Sequence, residues 1–250
     1  MNKIKYIYSF FLISSLLLGQ SKNSSDEALR IIKLVDDNMI SETQIIESEM
    51  IVYGKRKSRT IRSKGFSSGE FKNFTEYLSP EREKGTKMLK LDDRLWIYSP
   101  TTDRIIQISG HLLRQSVMGS DLSYEDMMEE RKLSLIYNCN IIGSEVLDSR
   151  DTWKIELTAK NDDVSYFRRI IWIDKLRYVP LRSDLFAKSG QLLKTTTFSD
   201  VKKLGKRWYP TKMNYKDVLK SGKGTDFIIL NIDFDKKIPD NYFSKSSLKK

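Results

Sequence analysis

Between residues 45 and 234 the chain is made of short runs in which apolar and polar side chains alternate, and Gly, Ser, Asn, Asp or Lys cluster between the runs. Successive side chains of a strand point to opposite faces, so a period of two repeated at this spacing confines the chain to an antiparallel sandwich or barrel. The runs fall at 45–53, 57–66 and 71–78, then within 79–91, 95–100 and 103–109. Further runs fall at 134–147, 153–159, 165–173, 179–186, 191–201, 206–219 and 225–234. Pro80, Pro100, Pro180, Pro210 and Pro239 are expected at strand ends or edges, where a missing N–H does no harm. No period of solenoid type is visible.

Two segments depart from this rhythm. Residues 25–40 read as an amphipathic helix, with Ser25 as N-cap, Asp26 and Glu27 in the first turn, and Ala28, Leu29, Ile32, Val35 and Met39 near one face. Residues 110–128 lose the alternation and become an apolar run with Gly110 and Gly119, followed by a short helix near Ser123. Of the acids Asp121, Glu125, Asp126, Glu129 and Glu130, either Asp121 or Ser123 caps that helix and the rest enrich its first turns. The group lacks the interspersed Asn and Gly of a calcium loop.

At the N-terminus, Lys3 and Lys5 precede an apolar stretch through Leu18, with Gly19 or Gln20 at the cleavage point. This order is that of a secretory signal over 1–20, leaving 21–250 as the mature domain. The apolar run is short and broken by Ser9, Ser14 and Ser15, so an uncleaved anchor is the lesser reading. No cysteine stands directly after it.

The 250 residues suit one domain or a small pair, and 39% hydrophobic content is enough for a core. The formal charge is +11, and loss of Lys3 and Lys5 with the signal leaves 11 − 2 = +9. The basic residues are spread along the strands, which fits a solvated outer face better than a nucleic-acid platform. Cys139 is the single cysteine and His111 the single histidine, which excludes an internal disulfide and a histidine-based metal site. There is no phosphate-cradling loop and no nucleophile elbow. No catalytic residue, metal or cofactor is expected.

The stretch 79–128 carries a resemblance. Its residues are Ser79-Pro80 with Lys84-Gly85-Thr86, then Leu95-Trp96-Ile97-Tyr98-Ser99-Pro100, then Arg104 with Ile108-Ser109. Met118-Gly119-Ser120-Asp121 with Ser123-Tyr124-Glu125-Asp126 close it. This succession resembles the LolA-like family of outer-membrane lipoprotein-sorting proteins, which are periplasmic carriers. The resemblance implies a mainly β fold. It would be a curved, unclosed antiparallel barrel with an N-terminal helix and a short central helical segment over its concave face. It implies a monomeric carrier of lipoprotein or lipid acyl chains, an inner-membrane donor, an outer-membrane acceptor and no nucleic-acid partner. Leu89, Trp96, Tyr98, Leu112, Leu113, Val117, Met118, Leu122 and Met127 are the candidate lining of the cavity or its lid. Plain packing between helix and sheet is an equal reading of residues 110–128. In such carriers a cavity arginine can hold the lid shut. Neither Arg59 nor Arg62 is assigned that role here, and as strand arginines both read as solvated. A periplasmic adaptor domain that docks on an envelope transporter without lipid is the alternative function.

Overall fold

The structure, a computed structural model, describes residues 24–54, 57–129 and 131–249. The expected signal segment 1–20 lies outside the described residues.

Among the described residues, thirteen strands form a single antiparallel sheet. They are β1 (Thr43–Tyr53), β2 (Ser58–Ser68), β3 (Lys72–Ser79), β4 (Lys87–Leu91), β5 (Arg94–Ser99), β6 (Arg104–Ile108) and β7 (Tyr137–Leu147). β8 (Arg150–Ala159), β9 (Arg168–Asp174), β10 (Pro180–Phe186), β11 (Leu192–Leu204), β12 (Arg207–Asp217) and β13 (Thr225–Phe234) complete it. The spatial order is β6-β5-β4-β3-β2-β1-β13-β12-β11-β10-β9-β8-β7. The chain starts in the middle of the sheet, walks by hairpins to one edge, crosses to the opposite edge, and walks back until β13 pairs with β1. The sheet is curved and unclosed. The crossing from β6 to β7 therefore has to traverse the concave face, and residues 109–136 make it.

Residues 24–39 form helix α1. Its inward face is Ala28, Ile31, Ile32 and Val35, packed on Tyr137, Cys139, Ile155, Leu157, Ile171 and Ile173 of β7 to β9. Leu29 and Met39 lie at the margin of that cluster. Ser25 is already helical, and its hydroxyl donates to the Cys139 carbonyl at 3.1 Å.

The crossing contains two 3-10 turns, Gly110–Arg114 and Val117–Gly119, then α2 (Tyr124–Met128) and α3 (Leu133–Ile136). The strand expected over 134–147 thus begins at Tyr137. The Asp36 carboxylate accepts the Leu133 and Ser134 amides at 3.0 Å each and holds the preceding residues in a helical turn. Pro210 lies inside β12 rather than at its end, but β13 pairs only with Lys212–Tyr215 of that strand. Pro210 therefore sits where β12 has parted from β13 and no ladder bond to it is lost.

The C-terminal tail, polar and basic in sequence from residue 244, is packed as far as Lys249. Ile238, Tyr242, Phe243 and Leu248 cover Phe66, Phe74, Leu89 and Trp96 on the outer face of β2 to β5. Tyr242 stacks on Phe66 with ring centroids 4.3 Å apart, and Leu248 is fully buried. The tail's few apolar residues outweigh its charge because an apolar outer patch awaits them.

Candidate functional site

The concave face is filled on one side and hollow on the other. Over β7 to β9 its inward residues are large. Over β1 to β3 they are small: Ser48 on β1, Ser63, Gly65 and Ser67 on β2, and Thr75 on β3 all line a cavity of about 360 Å³. Ser48 and Ser63 hydroxyls bond to each other at 3.0 Å, which satisfies them without water. Apolar walls rise on either side: Ile46 and Met50 of β1, Phe198 of β11, Tyr209, Met213 and Tyr215 of β12, and Phe227 and Ile229 of β13. Val117, Leu122 and Met127 come down from the crossing segment to form the roof.

Three of the nine candidate residues, Val117, Leu122 and Met127, therefore line the cavity. Leu113 and Met118 pack at the edge of the same cluster, which includes Met50, Ile61, Tyr77, Met88 and Leu95, and Leu112 is half-buried on the first 3-10 turn. Leu89, Trp96 and Tyr98 lie elsewhere. Phe74 pairs with Leu89 and Leu89 with Trp96, which puts them on the outer face beneath the C-terminal tail. Their neighbours Met88, Leu95 and Ile97 are the ones turned inward. The alternation in β4 and β5 is visible in sequence, but it does not say which phase faces in, because both are apolar.

Sequence reasoning missed most of the cavity. Met213 and Tyr215 on β12 and Phe227 and Ile229 on β13 show a period-two apolar signal, and the small inward residues of β1 to β3 recur at the same period. Only the sheet order, which brings β13 against β1, makes one surface of them.

The roof is fastened around its perimeter by polar bonds. Ser116 bridges to Ser123, and the Val117 amide donates to the Leu122 carbonyl at 2.8 Å, closing a tight loop with Met118-Gly119-Ser120-Asp121 at its tip. Met118 (φ 49°) and Gly119 (φ 72°) are both left-handed. For Met118 that conformation is held against a backbone preference of roughly 1–2 kcal/mol. It turns the Met118 carbonyl to the guanidinium of Arg59, which donates to it and also lies 3.6 Å from Glu83. The Arg59 Nε is buried without a partner among the described residues. Arg59, expected to be solvated, thus bonds the crossing segment, whereas Arg62 is an exposed strand arginine beside Glu49. Asp121 does not cap the helix. Its amide donates to the Thr225 hydroxyl at 2.9 Å, and its carboxylate accepts that hydroxyl at 3.1 Å and the Asp217 amide at 3.0 Å.

The helix cap is Ser123, in a reciprocal box with Asp126. Asp126 also accepts from Lys194 of β11 and from the Tyr166 hydroxyl. Burial, followed by the Asp126 charge, pushes the Tyr166 phenol upward, so it remains a donor. Glu129 pairs with buried Arg169 of β9 and accepts the Ser165 amide at 2.7 Å. Lys90 donates to the Met128 carbonyl at 3.0 Å, and Glu70 accepts the Lys132 amide at 2.8 Å. The acids read in sequence as helix-end enrichment are therefore mostly anchors to distant strands.

Cys139 and His111 take no part in a reactive constellation. Burial pushes the Cys139 thiol up to about 11, so it stays protonated at neutral pH, and it lies under α1. His111 is exposed on the first 3-10 turn. Among the described residues there is no group of three or more His, Cys, Asp or Glu side chains placed to hold a metal ion. No helix among them is long and apolar enough to cross a membrane.

A family model described as "Uncharacterized protein" matches residues 69–250. A DUF1329 family protein from Desulfovibrio piger is 26% identical with a TM-score of 0.81, covering 90% of this chain and 99% of its own. A domain named for outer membrane lipoprotein sorting, from Vibrio parahaemolyticus, is 25% identical with a TM-score of 0.76, covering 90% of this chain and 100% of its own. The chain belongs to the family of that model, and its fold is LolA-like. A LolA superfamily protein from Nitrosomonas europaea, 21% identical, shares the fold with a TM-score of 0.74 over 88% of this chain and 98% of its own. No curated protein matches in sequence. The LolA-like architecture accounts for the main features above: an unclosed sheet, an N-terminal helix on its concave side and a roof made by the edge-to-edge crossing.

Proposed function

We propose that this LolA-like protein is a periplasmic carrier that shields lipoprotein or other lipid acyl chains in the concave cavity on the way to the outer membrane. The observation that carries the reading is the apolar hollow of about 360 Å³ under a roof fastened by polar bonds. That volume falls in the range of small-molecule sites, roughly 300–1,000 Å³. Each methylene moved from water into such a site is worth about 0.8 kcal/mol, so a carrier gains affinity from walls of Ile46, Met50, Phe198, Met213 and Phe227 alone. Val117, Leu122 and Met127 would then be the movable side of the site, and Met127 is suited to varied apolar partners. Export follows from residues 1–20, which are removed on the way, and 21–250 act as one monomeric domain. A donor at the inner membrane loads it and an acceptor at the outer membrane empties it. It has no catalytic role and no nucleic-acid partner.

The test is native purification, organic extraction and mass spectrometry for co-purified lipid, on the wild type and on the V117D/M118D double variant. Lipid on the wild type and none on a variant that still folds is the expected result. A wild type that purifies without lipid, and takes up none when offered, sinks the reading and favours an adaptor domain.

A further inference from the structure

The hairpin joining β12 to β13 ends in Val218-Leu219-Lys220-Ser221-Gly222-Lys223-Gly224. At its tip Leu219 is 69% exposed and Val218 38% exposed. An apolar pair held out to water at the end of a hairpin serves neither core nor cavity. Around it the charge is mainly basic. Lys223 is exposed, Lys220 lies 3.8 Å from Asp217 and Lys216 3.9 Å from Asp121, and Lys212, lower on the strand, lies 3.5 Å from Asp226. The register sets Val52 beside Thr225 and Arg62 beside Ser79, so the β1–β2 and β3–β4 connections share this rim. They bring exposed Lys57, Arg82 and Lys84, with Glu81 3.4 Å from Lys84.

The base of the same hairpin is what grips the roof. Lys220 Nζ donates to the Ser116 hydroxyl at 2.6 Å and to the Ser120 carbonyl at 2.8 Å. The Asp217 amide and the Thr225 hydroxyl hold Asp121 from the two strands of the hairpin. Gly224 (φ 89°) lets the chain turn back here, since a Cβ would sit 2.5 Å from the Tyr215 carbonyl oxygen. One short element thus joins an outward apolar and basic tip to the inward clamp on residues 116–121.

We propose that this hairpin docks on an anionic lipid surface, with Val218 and Leu219 entering the headgroup layer, and that docking draws Lys220 off Ser116 and Ser120 and frees the roof. The charge complementarity selects the partner. Basic groups near an anionic leaflet are attracted over a Debye length, and an apolar tip adds insertion to attraction. A leaflet phosphate that draws the Lys220 ammonium outward competes with Ser116 and Ser120 for it, so the surface competes with the clamp. The docking half stands on the hairpin alone. The release half rests on the carrier reading.

Sedimentation with vesicles of phosphatidylglycerol and phosphatidylethanolamine, set against vesicles of phosphatidylcholine, tests the docking. The protein should co-sediment with the first and not the second, and added salt should weaken binding. The L219D/K223E variant should bind at least about tenfold more weakly, with an unchanged melting temperature and an unchanged lipid load. Equal binding of that variant, or no binding of the wild type to the anionic vesicles, overturns the docking. Hydrogen exchange of residues 112–128 should quicken on those vesicles, and should already be quick in K220M without them. Exchange that vesicles leave unchanged overturns the release half while the docking result stands. Vesicle binding needs no cargo, so a protein that purifies lipid-free but passes these tests refutes the carrier reading and keeps the docking.

Discussion

Two pieces of chain cover one concave sheet, and they are held in opposite ways. Helix α1 lies on β7 to β9 through Ala28, Ile31, Ile32 and Val35, all buried in one apolar cluster, and only its C-terminal end, Val35, Asp36 and Met39, reaches the cavity. The crossing segment lies over β1 to β3 and β11 to β13. There it leaves a cavity, and its hold is a ring of polar bonds from Arg59, Lys90, Lys194, Arg169, Lys220 and Thr225. Apolar contact is lost only by exposing the whole face to water, at about 25 cal/mol per Å². Each rim bond from a charged side chain is worth about 1.5–3 kcal/mol, and water can replace it one bond at a time. The first cover is expected to stay with the fold, and the second to open while the fold persists.

The comparison breaks if the two covers respond alike to mutation. Ile32→Ala should cost about 3 kcal/mol in global stability, read by denaturant unfolding, because a packed helix–sheet contact cannot collapse around the lost methyls. Hydrogen exchange should rise across β7 to β9 with it.

Acid should strike the sheet through Asp174. Burial pushes the Asp174 carboxyl upward, but hydrogen bonds from Arg150, the Leu176 amide and Arg177 outweigh it and hold its pKa at about 2. The folded chain thus favours the ionised form. Its contribution is complete above pH about 4, is lost as the pH falls through about 2, and amounts to about 2 kcal/mol. Asp174→Asn should remove that part of the acid dependence, seen in melts between those pH values.

Asp121→Ala sharpens the contrast from the other side. It should lower global stability by about 2 kcal/mol. Yet exchange of amides in 116–128 should rise, and any bound lipid should leave faster. A loss as large as that of Ile32→Ala would make the crossing segment ordinary core. The smallest effect belongs to reductant and chelator. With Cys139 buried and single, and no metal expected, neither should move the melting temperature by more than about one degree.

The sequence by itself determined the local structure. The strand rhythm placed most of the strands to within about three residues, since side-chain period and turn residues are properties of adjacent positions. Helix α1 and the break in pattern at residue 110 were legible for the same reason. What the sequence left open was everything that depends on phase and partner. Trp96 and Leu95 are both apolar, and only the tail docking outside and the roof docking inside decide that Trp96 faces out. Arg59 looks like any strand arginine until the crossing brings the Met118 carbonyl to it. Ser48, Ser63, Gly65 and Thr75 become a cavity only when β13 pairs with β1 and sets Phe227 and Ile229 opposite them. Local pattern fixes the elements, because each is stabilised by its own neighbours. A hollow is a property of residues far apart in the chain, and only the tertiary structure assembles it.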